Sequence, residues 1–418
     1  MTVDISPTRA AMAASLLMLS CSAALAGDAA DDDMPRWTLG GFGTLGVAHS
    51  NEDQADFTSN ALVRGDAGAS RRWSVGVDSR VGSQASVEID RQWSAVLQVV
   101  SERTLDNGYR PAVEWAYVQY KVTPDLSLRL GRIALPLFLA GDYRKAGYTV
   151  PWVRTPVELY GAIPLASSDG VDASYRWQSG EINHVTQAFL GHADLTLSPV
   201  AHVRARRLAG LSNTTTAGAL TLRASMLTSM LTVDLAQPLF DGLRAYGDEG
   251  EALVRRYELA DKRAYVASLG FSYDPGTWFA MGEIGRLNSR SYLGDKSAGY
   301  LSVGYRHRNL TPYLVYSASH PNMQTQVDGL DLSQQTAARS AAGAQLNAGL
   351  NQLLAAVARQ YTVGVGVRWD LHPNYALKLQ YDRVTPQQGS TGTFINVQPG
   401  FRSGQPIAVL SAALDFVF

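Results

Sequence analysis

Hydrophobic and polar positions along this chain alternate with a period of two. The clearest stretch is 407–418, where Ala408, Leu410, Ala412, Leu414, Phe416 and Phe418 share one parity and are all apolar. Val409, Ser411, Ala413, Asp415 and Val417 share the other, which carries a hydroxyl and a carboxylate. Successive side chains of a strand point to opposite faces, so this strand has an apolar face with an aromatic rim and a small or polar face. The first suits lipid and the second a wet interior. A lone strand in a bilayer would leave its edge amides unpaired, so the pattern implies a closed barrel of similar strands. A terminal strand of a soluble two-sheet protein would show the same alternation, and the rest of the chain must decide.

The alternation recurs from the N-terminal side onward. In 37–48, Trp37, Leu39, Leu45 and Val47 oppose Thr38, Phe42 and Thr44. Polar residues 49–70 lead to a strand within 73–89, a turn at 90–92 and a strand over 93–103. Loop 104–111 precedes strands at 112–122 and 126–133, joined by Thr123-Pro124-Asp125. After the long segment 134–168 come strands at 169–177 and 182–192, a modest loop at 193–199, a strand at 200–211, a turn at 212–218 and a strand at 219–227. A loop running to 261, with a short helix over 249–259, precedes strands at 262–273, 277–288, 297–308 and 310–318. The loop 319–359 holds an Ala-, Gln- and Leu-rich stretch, 333–358, of helical propensity. Strands at 360–370 and 375–384, a last loop at 385–406 and the closing strand complete the set.

These are sixteen strands, an even number, and most reach the roughly 9–11 residues that a tilted membrane strand needs. Short connections alternate with long ones, as in barrels with periplasmic turns on one rim and outer loops on the other. Trp37, Trp73, Trp93, Trp177, Trp278, Trp369, Tyr375 and Phe418 stand at strand ends, which suits interfacial girdles. The expected fold is therefore an all-β transmembrane antiparallel barrel.

Composition agrees. Charged residues make up 17% of the chain, below the roughly 25% of a soluble domain. No apolar run reaches the roughly 20 residues of a spanning helix. A net charge of -1 implies no nucleic-acid surface. Arg9, the apolar run 10–19 and the small-x-small Ala24-Leu25-Ala26 read as an export signal over 1–26. Cys21 raises a lipoprotein alternative, which Met18-Leu19-Ser20 fits poorly. With the signal removed, the mature chain carries no cysteine. A short acidic lead-in, 27–36, precedes a single barrel domain, 37–418.

The glycine-rich first strand, Thr38-Leu39-Gly40-Gly41-Phe42-Gly43-Thr44-Leu45-Gly46-Val47, and the terminal Phe418 resemble those of the Gram-negative porin family. The likeness extends over the mature chain in strand number and loop rhythm. It implies a sixteen-stranded barrel of the bacterial outer membrane, surrounded by lipid and lipopolysaccharide. It also implies a homotrimer conducting small hydrophilic solutes and ions, and a terminal Phe read by the barrel-assembly machinery. Family porins fold their third long loop into the pore. Here that loop is 134–168, between strands five and six. It lacks the family's acidic Pro-Glu-Phe-Gly turn and has Thr155-Pro156-Val157-Glu158-Leu159-Tyr160-Gly161 in its place.

A pore requires a wide barrel, a polar lining and a charged narrowing, with no catalytic residue and no cofactor. The loop offers Asp142, Arg144, Lys145, Arg154 and Glu158. Parity places Arg176, Arg204, Arg206, Arg223, Arg306, Arg368 and Lys378 in the lumen, with Asp172, Glu283, Asp370, Asp382 and Asp415, and Arg129 shares the face of Ser127. Clustering on strands five to eight predicts a basic wall of Arg129, Arg176, Arg204 and Arg206 opposite Asp142 and Glu158. The bland reading is that these arginines only pair with neighbouring carboxylates. His184, His192 and His202 fall on adjacent strands or their loop, but further ligands for a metal are not evident. A Gly-x-Ser-x-Gly nucleophile elbow is absent. The alternative to a channel is an adhesin, receptor or barrel enzyme working through its long outer loops.

Overall fold

The computed structural model describes residues 35–418 except 61–62, 162–165 and 199–200. The export signal 1–26 with Cys21, and residues 27–34 of the acidic lead-in, lie outside the described residues.

Sixteen long antiparallel strands form one closed barrel. They are β1 (Arg36–Ser50), β2 (Arg80–Glu88), β3 (Trp93–Glu102), β4 (Ala112–Lys121), β5 (Leu126–Ala134), β6 (Ser167–Ser179), β7 (Ile182–Ser198) and β8 (Ala201–Ala217). The second half comprises β9 (Leu220–Val233), β10 (Lys262–Tyr273), β11 (Trp278–Asn288), β12 (Asp295–Tyr305), β13 (Leu310–Pro321), β14 (Gln360–His372), β15 (Tyr375–Pro386) and β16 (Ile407–Val417). Each strand pairs with its sequence neighbour, and β1 closes the ring by pairing Phe42–Ser50 with Val409–Val417. The last residue completes that seam: Gly41 N–H donates to the Phe418 carbonyl at 2.9 Å, and Phe418 N–H returns a bond to Gly41 at 3.0 Å. Cβ atoms at Gly41 and Gly43 would collide with the rings of Phe418 and Phe416, so the glycine-rich first strand is where two aromatics lie flat across the seam.

The expected faces are present. Leu39, Leu130, Leu190, Met226 and Ile284 are each more than 60% exposed, and all point outward. In water this would be a large cost, whereas in lipid it is the ordinary state of a barrel wall. Tight turns such as Asp274-Pro275-Gly276 lie at one end and the long connections at the other, which sets the long-loop rim outside.

Several boundaries differ from expectation. The stretch 193–199 is mostly strand, because β7 runs on to Ser198 and β8 starts at Ala201. Most of the turn at 212–218 is also strand, since β8 continues to Ala217. Of 73–89, only Trp73–Ser74 and Arg80–Glu88 pair. The loop before 261 holds two helices, α2 (Gln237–Arg244) and α3 (Asp248–Tyr257), and the Ala-rich stretch is α4 (Ala337–Ala355). A single turn, α1 (Val157–Tyr160), lies in the inner loop.

The interior is packed in two ways. On the β7–β13 side the outer half of the lumen is apolar. Phe189, Ala205, Leu208, Leu227, Leu231 and Val266 point inward and join Phe240 and Leu243 of α2, Val254 of α3 and Leu350 and Leu354 of α4 in one buried cluster. On the β14–β16 and β1–β3 side a smaller cluster, with Phe57, Val157, Phe394 and Val409, sits among buried charges.

Candidate functional site: the inner loop and the charges that hold it

Residues 135–161 leave β5 and cross the barrel. Their backbone cannot complete a ladder there, so wall side chains satisfy it. Ser225 and Ser268 both donate to the Leu137 carbonyl, the latter at 2.6 Å. Leu139 N–H donates to Glu283 Oε1 at 3.1 Å, and Val153 N–H to Gln380 Oε1 at 3.0 Å. Lys378, fully buried, gives its Nζ protons to the carbonyls of Gly147, Val150 and Trp152 at 2.7–2.9 Å and lies 2.7 Å from Asp415 Oδ2. Arg368 donates to the carbonyls of Tyr148 and Val150. The loop approaches the wall so closely at Gly147 that a Cβ there would strike Asp415 and Thr44.

Side chains of the loop anchor it as well. Arg154 Nε and Nη2 form a bidentate pair with Asp78 at 2.8 and 2.6 Å, while Nη1 reaches Asp382 at 3.1 Å and Nη2 reaches Ser411 at 2.6 Å. Burial alone would lower its pKa; Asp78 and Asp382 outweigh that and hold it above the ordinary arginine value. Glu158, in α1, accepts from Ser317 at 2.6 Å, Gln360 at 2.6 Å and Thr362 at 2.5 Å, so three neutral donors spread its buried charge. Trp152 Nε1 donates to Ser302 Oγ at 2.9 Å. Burial pushes the Tyr160 phenol well above its usual pKa, and it stays protonated to donate to Glu283 Oε2 at 2.9 Å.

These contacts sort the expected pore residues. Arg154 and Glu158 are anchors, 5% and 2% exposed, and they face wall partners rather than a passage. Lys145 pairs with Glu102 and lies 4.0 Å from Glu114. Asp142 keeps 46% of its side chain exposed and meets Arg223 only at 3.8 Å. One terminal nitrogen of Arg144, Nη2, is buried and has no hydrogen-bond partner. Burial pulls this guanidinium below the ordinary value, with Glu114 and Glu102 opposing. A cavity of about 40 Å³, large enough for water, separates the loop from the wall and is lined by Arg80, Glu102, Arg144, Lys145 and Tyr160, among others.

The predicted basic wall does not form. Arg129 is committed to Asp172 and lies over the Tyr117 ring at 5.2 Å. Arg176 is exposed near the turn end of β6. Arg204 and Arg206 point outward, not into the lumen. Arg206 and Arg207 stand against the single residue His192 of β7, and the register with β9 shifts between Arg206 and Ala209, a bulge that inverts the parity of the strand. Beyond it Val203 and Ala205 are the buried, inward residues, and Arg204 pairs with Asp234 at 2.6 Å on the outer surface. Arg306 bridges to Asp274 at the turn rim, and Arg368 also pairs with Asp370. Three histidines share the outer parity at different heights: His184 stacks on Trp177 with ring centroids 3.8 Å apart, His192 stands opposite Asp169, and His202 lies beside Thr196. Among the described residues no group of three or more His, Cys, Asp or Glu could hold a metal ion.

Several contributors escaped the sequence reading. Asp78 lies in irregular backbone before β2, and Glu114 sits beside a bulge in the β3–β4 pairing that blurs its face. Ser225, Ser268, Gln360 and Thr362 carry no signal beyond an inward parity.

No protein-family model matches the chain, and no curated protein matches it. Solved structures do. The anion-selective porin of Comamonas acidovorans superposes with a TM-score of 0.54 at 13% identity, covering 92% of this chain and 100% of that one. The outer-membrane channel DcaP of Acinetobacter baumannii gives 0.52 at 12% identity, covering 94% and 100%. OmpF of Salmonella typhi, in complex with daunomycin, gives 0.51 at 12% identity, covering 93% and 99%. The chain therefore has the porin fold, a closed sixteen-stranded antiparallel barrel of the bacterial outer-membrane type.

Proposed function

We propose that this protein is an outer-membrane diffusion channel for small hydrophilic solutes and ions, with a preference for anions. The observation that carries the reading is the inner loop. A barrel of this width leaves an aqueous lumen, and here a segment held to one wall by buried ion pairs and to the opposite wall by hydrogen bonds narrows it. A rigid narrowing lined by charge is what a selective passive pore requires. The anion preference rests on Arg80 and Arg176, inward on their strands, and Arg144, on the inner loop beside the cavity, none of which has a carboxylate at salt-bridge distance among the described residues, whereas Asp142 is shared with Arg223.

The export signal over 1–26 belongs to this reading, as does Phe418, placed at the seam where the assembly machinery would engage it. A homotrimer is supported by small outward residues beside the seam: Ser83, Ala85, Ala408 and Ala412 leave room for a second wall. The alternative of a receptor or barrel enzyme gains no specific support from the outer loops, whose helices turn their apolar faces inward.

Planar-bilayer recording of the refolded protein in a salt gradient tests the proposal. Open steps with a reversal potential of anion sign are expected. A correctly inserted but silent barrel overturns the channel reading, and a cation-sign potential overturns the preference alone.

A further inference from the structure

The inner loop is not held at a single height. From Tyr148 to Glu158 its wall partners climb β14 and β15 in order. The Tyr148 phenol donates at 2.6 Å to the carbonyl of Pro373, in the tight turn between β14 and β15. The Val150 carbonyl accepts from Arg368, near the turn end of β14. Val153 N–H donates to Gln380, which stands opposite Gly366. Arg154 reaches Asp382, opposite Gly364. Glu158, ten residues on from Tyr148, accepts from Thr362 and from Gln360, the first residue of β14. The loop therefore follows the wall from the turn rim to the long-loop end of a 13-residue strand. Such a strand is about 40 Å long, and ten extended residues reach at most about 36 Å. A segment fixed at both ends of that span has little slack and lies along the wall as a strap.

The two ends of the strap are held differently. At the long-loop end Arg154 and Glu158 are buried among fixed partners. Near the other end Lys378 takes the carbonyls of Gly147, Val150 and Trp152. Between Gly147 and Val150 the tip, Tyr148 and Thr149, is only half-buried. There the phenol bond to Pro373 is joined by the Arg368 guanidinium, 4.7 Å from the centre of the Tyr148 ring. The turn is itself tied down, because Val417 N–H donates to the Asn374 carbonyl at 3.0 Å. A hydrogen bond at a wet rim has a small net worth, since water competes for both groups. Its use is geometric: it parks the tip against a fixed turn, while on the facing wall Arg176 and Asn183 stay exposed toward the lumen.

We propose that Tyr148 is a positioning residue for the passage: by clamping the tip of the inner loop to the β14–β15 turn, it sets the width of the turn-side mouth. The inference rests on the channel reading above and extends it, placing a second limit of the aperture at the turn rim. Tyr148 contributes no charge to the lining, so it acts on the size and steadiness of the opening and leaves ion preference alone.

The test compares Tyr148→Ala and Tyr148→Phe with wild type in three measurements on the whole refolded protein. Amide hydrogen exchange at Thr149 and Val150 should quicken at least about tenfold in Tyr148→Ala, because the tip opens locally. Tyr148→Phe keeps the ring over Arg368 and loses only the phenol bond, so it should fall between. In planar bilayers Tyr148→Ala should add a sub-level to the open step and keep the wild-type reversal potential. The urea midpoint in detergent should stay at the wild-type value, whereas a merely structural tyrosine would lower it and add no sub-level. Unchanged exchange in Tyr148→Ala overturns the clamp. Faster exchange with wild-type traces, or a lowered midpoint without a sub-level, overturns the positioning role. Should Tyr148→Ala fail to fold, Tyr148→Phe gives the same reading at smaller amplitude. A silent wild-type barrel overturns the channel reading and this proposal with it. A conducting wild type with an indistinguishable Tyr148→Ala overturns this proposal alone.

Discussion

The two sides of the lumen solve one problem differently. On the β14–β16 and β1–β3 side the inner loop is held by charge: Arg154 between Asp78 and Asp382, Lys378 on Asp415 and three carbonyls, Glu158 under three donors. On the β7–β13 side the outer half of the lumen is lined by apolar packing, with α2 and α4 setting Phe240, Leu243, Leu350 and Leu354, and α3 Val254, against the wall. Apolar contact is non-directional and excludes water wherever shapes fit. Buried ion pairs are directional and costly when a partner is lost. The first kind of packing seals a space. The second fixes a backbone segment to within the tolerance of a hydrogen bond, which a selective aperture needs.

Cutting the charged side should have the largest effect. Arg154→Ala leaves Asp78 and Asp382 buried without their cation, at a cost of about 3–5 kcal/mol. Urea unfolding in detergent should show a lowered midpoint, and single-channel recordings should show larger, noisier steps as the loop loosens. Wild-type conductance in this variant would mean that the loop is held by packing alone. The apolar side should respond differently. Leu354→Ala should cost about 2–5 kcal/mol locally and expose the connection 322–359 to protease, while ion selectivity is unchanged. A shift in selectivity there would erase the division between the two sides.

Smaller effects sharpen the comparison. Arg144→Gln removes a positive charge that forms no ion pair, and the reversal potential should move toward cations without loss of stability. Asp142→Asn should move it the opposite way. Arg204→Glu should leave the reversal potential where it is, because that residue lies outside the barrel beyond a bulge. A change as large as that of Arg144→Gln would return Arg204 to the lumen.

The wall was legible from alternation because lipid on one side and a protein interior on the other impose a period of two on almost every strand. Arg204 and Arg206 show where that reading fails. Even parity is inward for Ser212, and extending it upstream through residues 206–207 places both arginines in the lumen. An unpaired extra residue costs the ladder one position and flips every side chain beyond it. Nothing in Arg206-Arg207 distinguishes a bulge from two further strand residues. The inner loop shows a second limit. Its position between strands five and six and its reserve of charges could be read, but Arg154 and Glu158 look the same in sequence whether they line water or are buried against partners.

The sequence alone determined the strands, their number, the lipid-facing parity and the aromatic that closes the seam, because each depends on residues a few positions apart. Only the tertiary structure decided which charges meet. Arg154 finds Asp382 and Ser411, Lys378 finds Gly147, and Thr44 finds Asp415 across separations of hundreds of residues. Those meetings depend on the closure of the ring and on the path of one loop through it, and no local pattern encodes either.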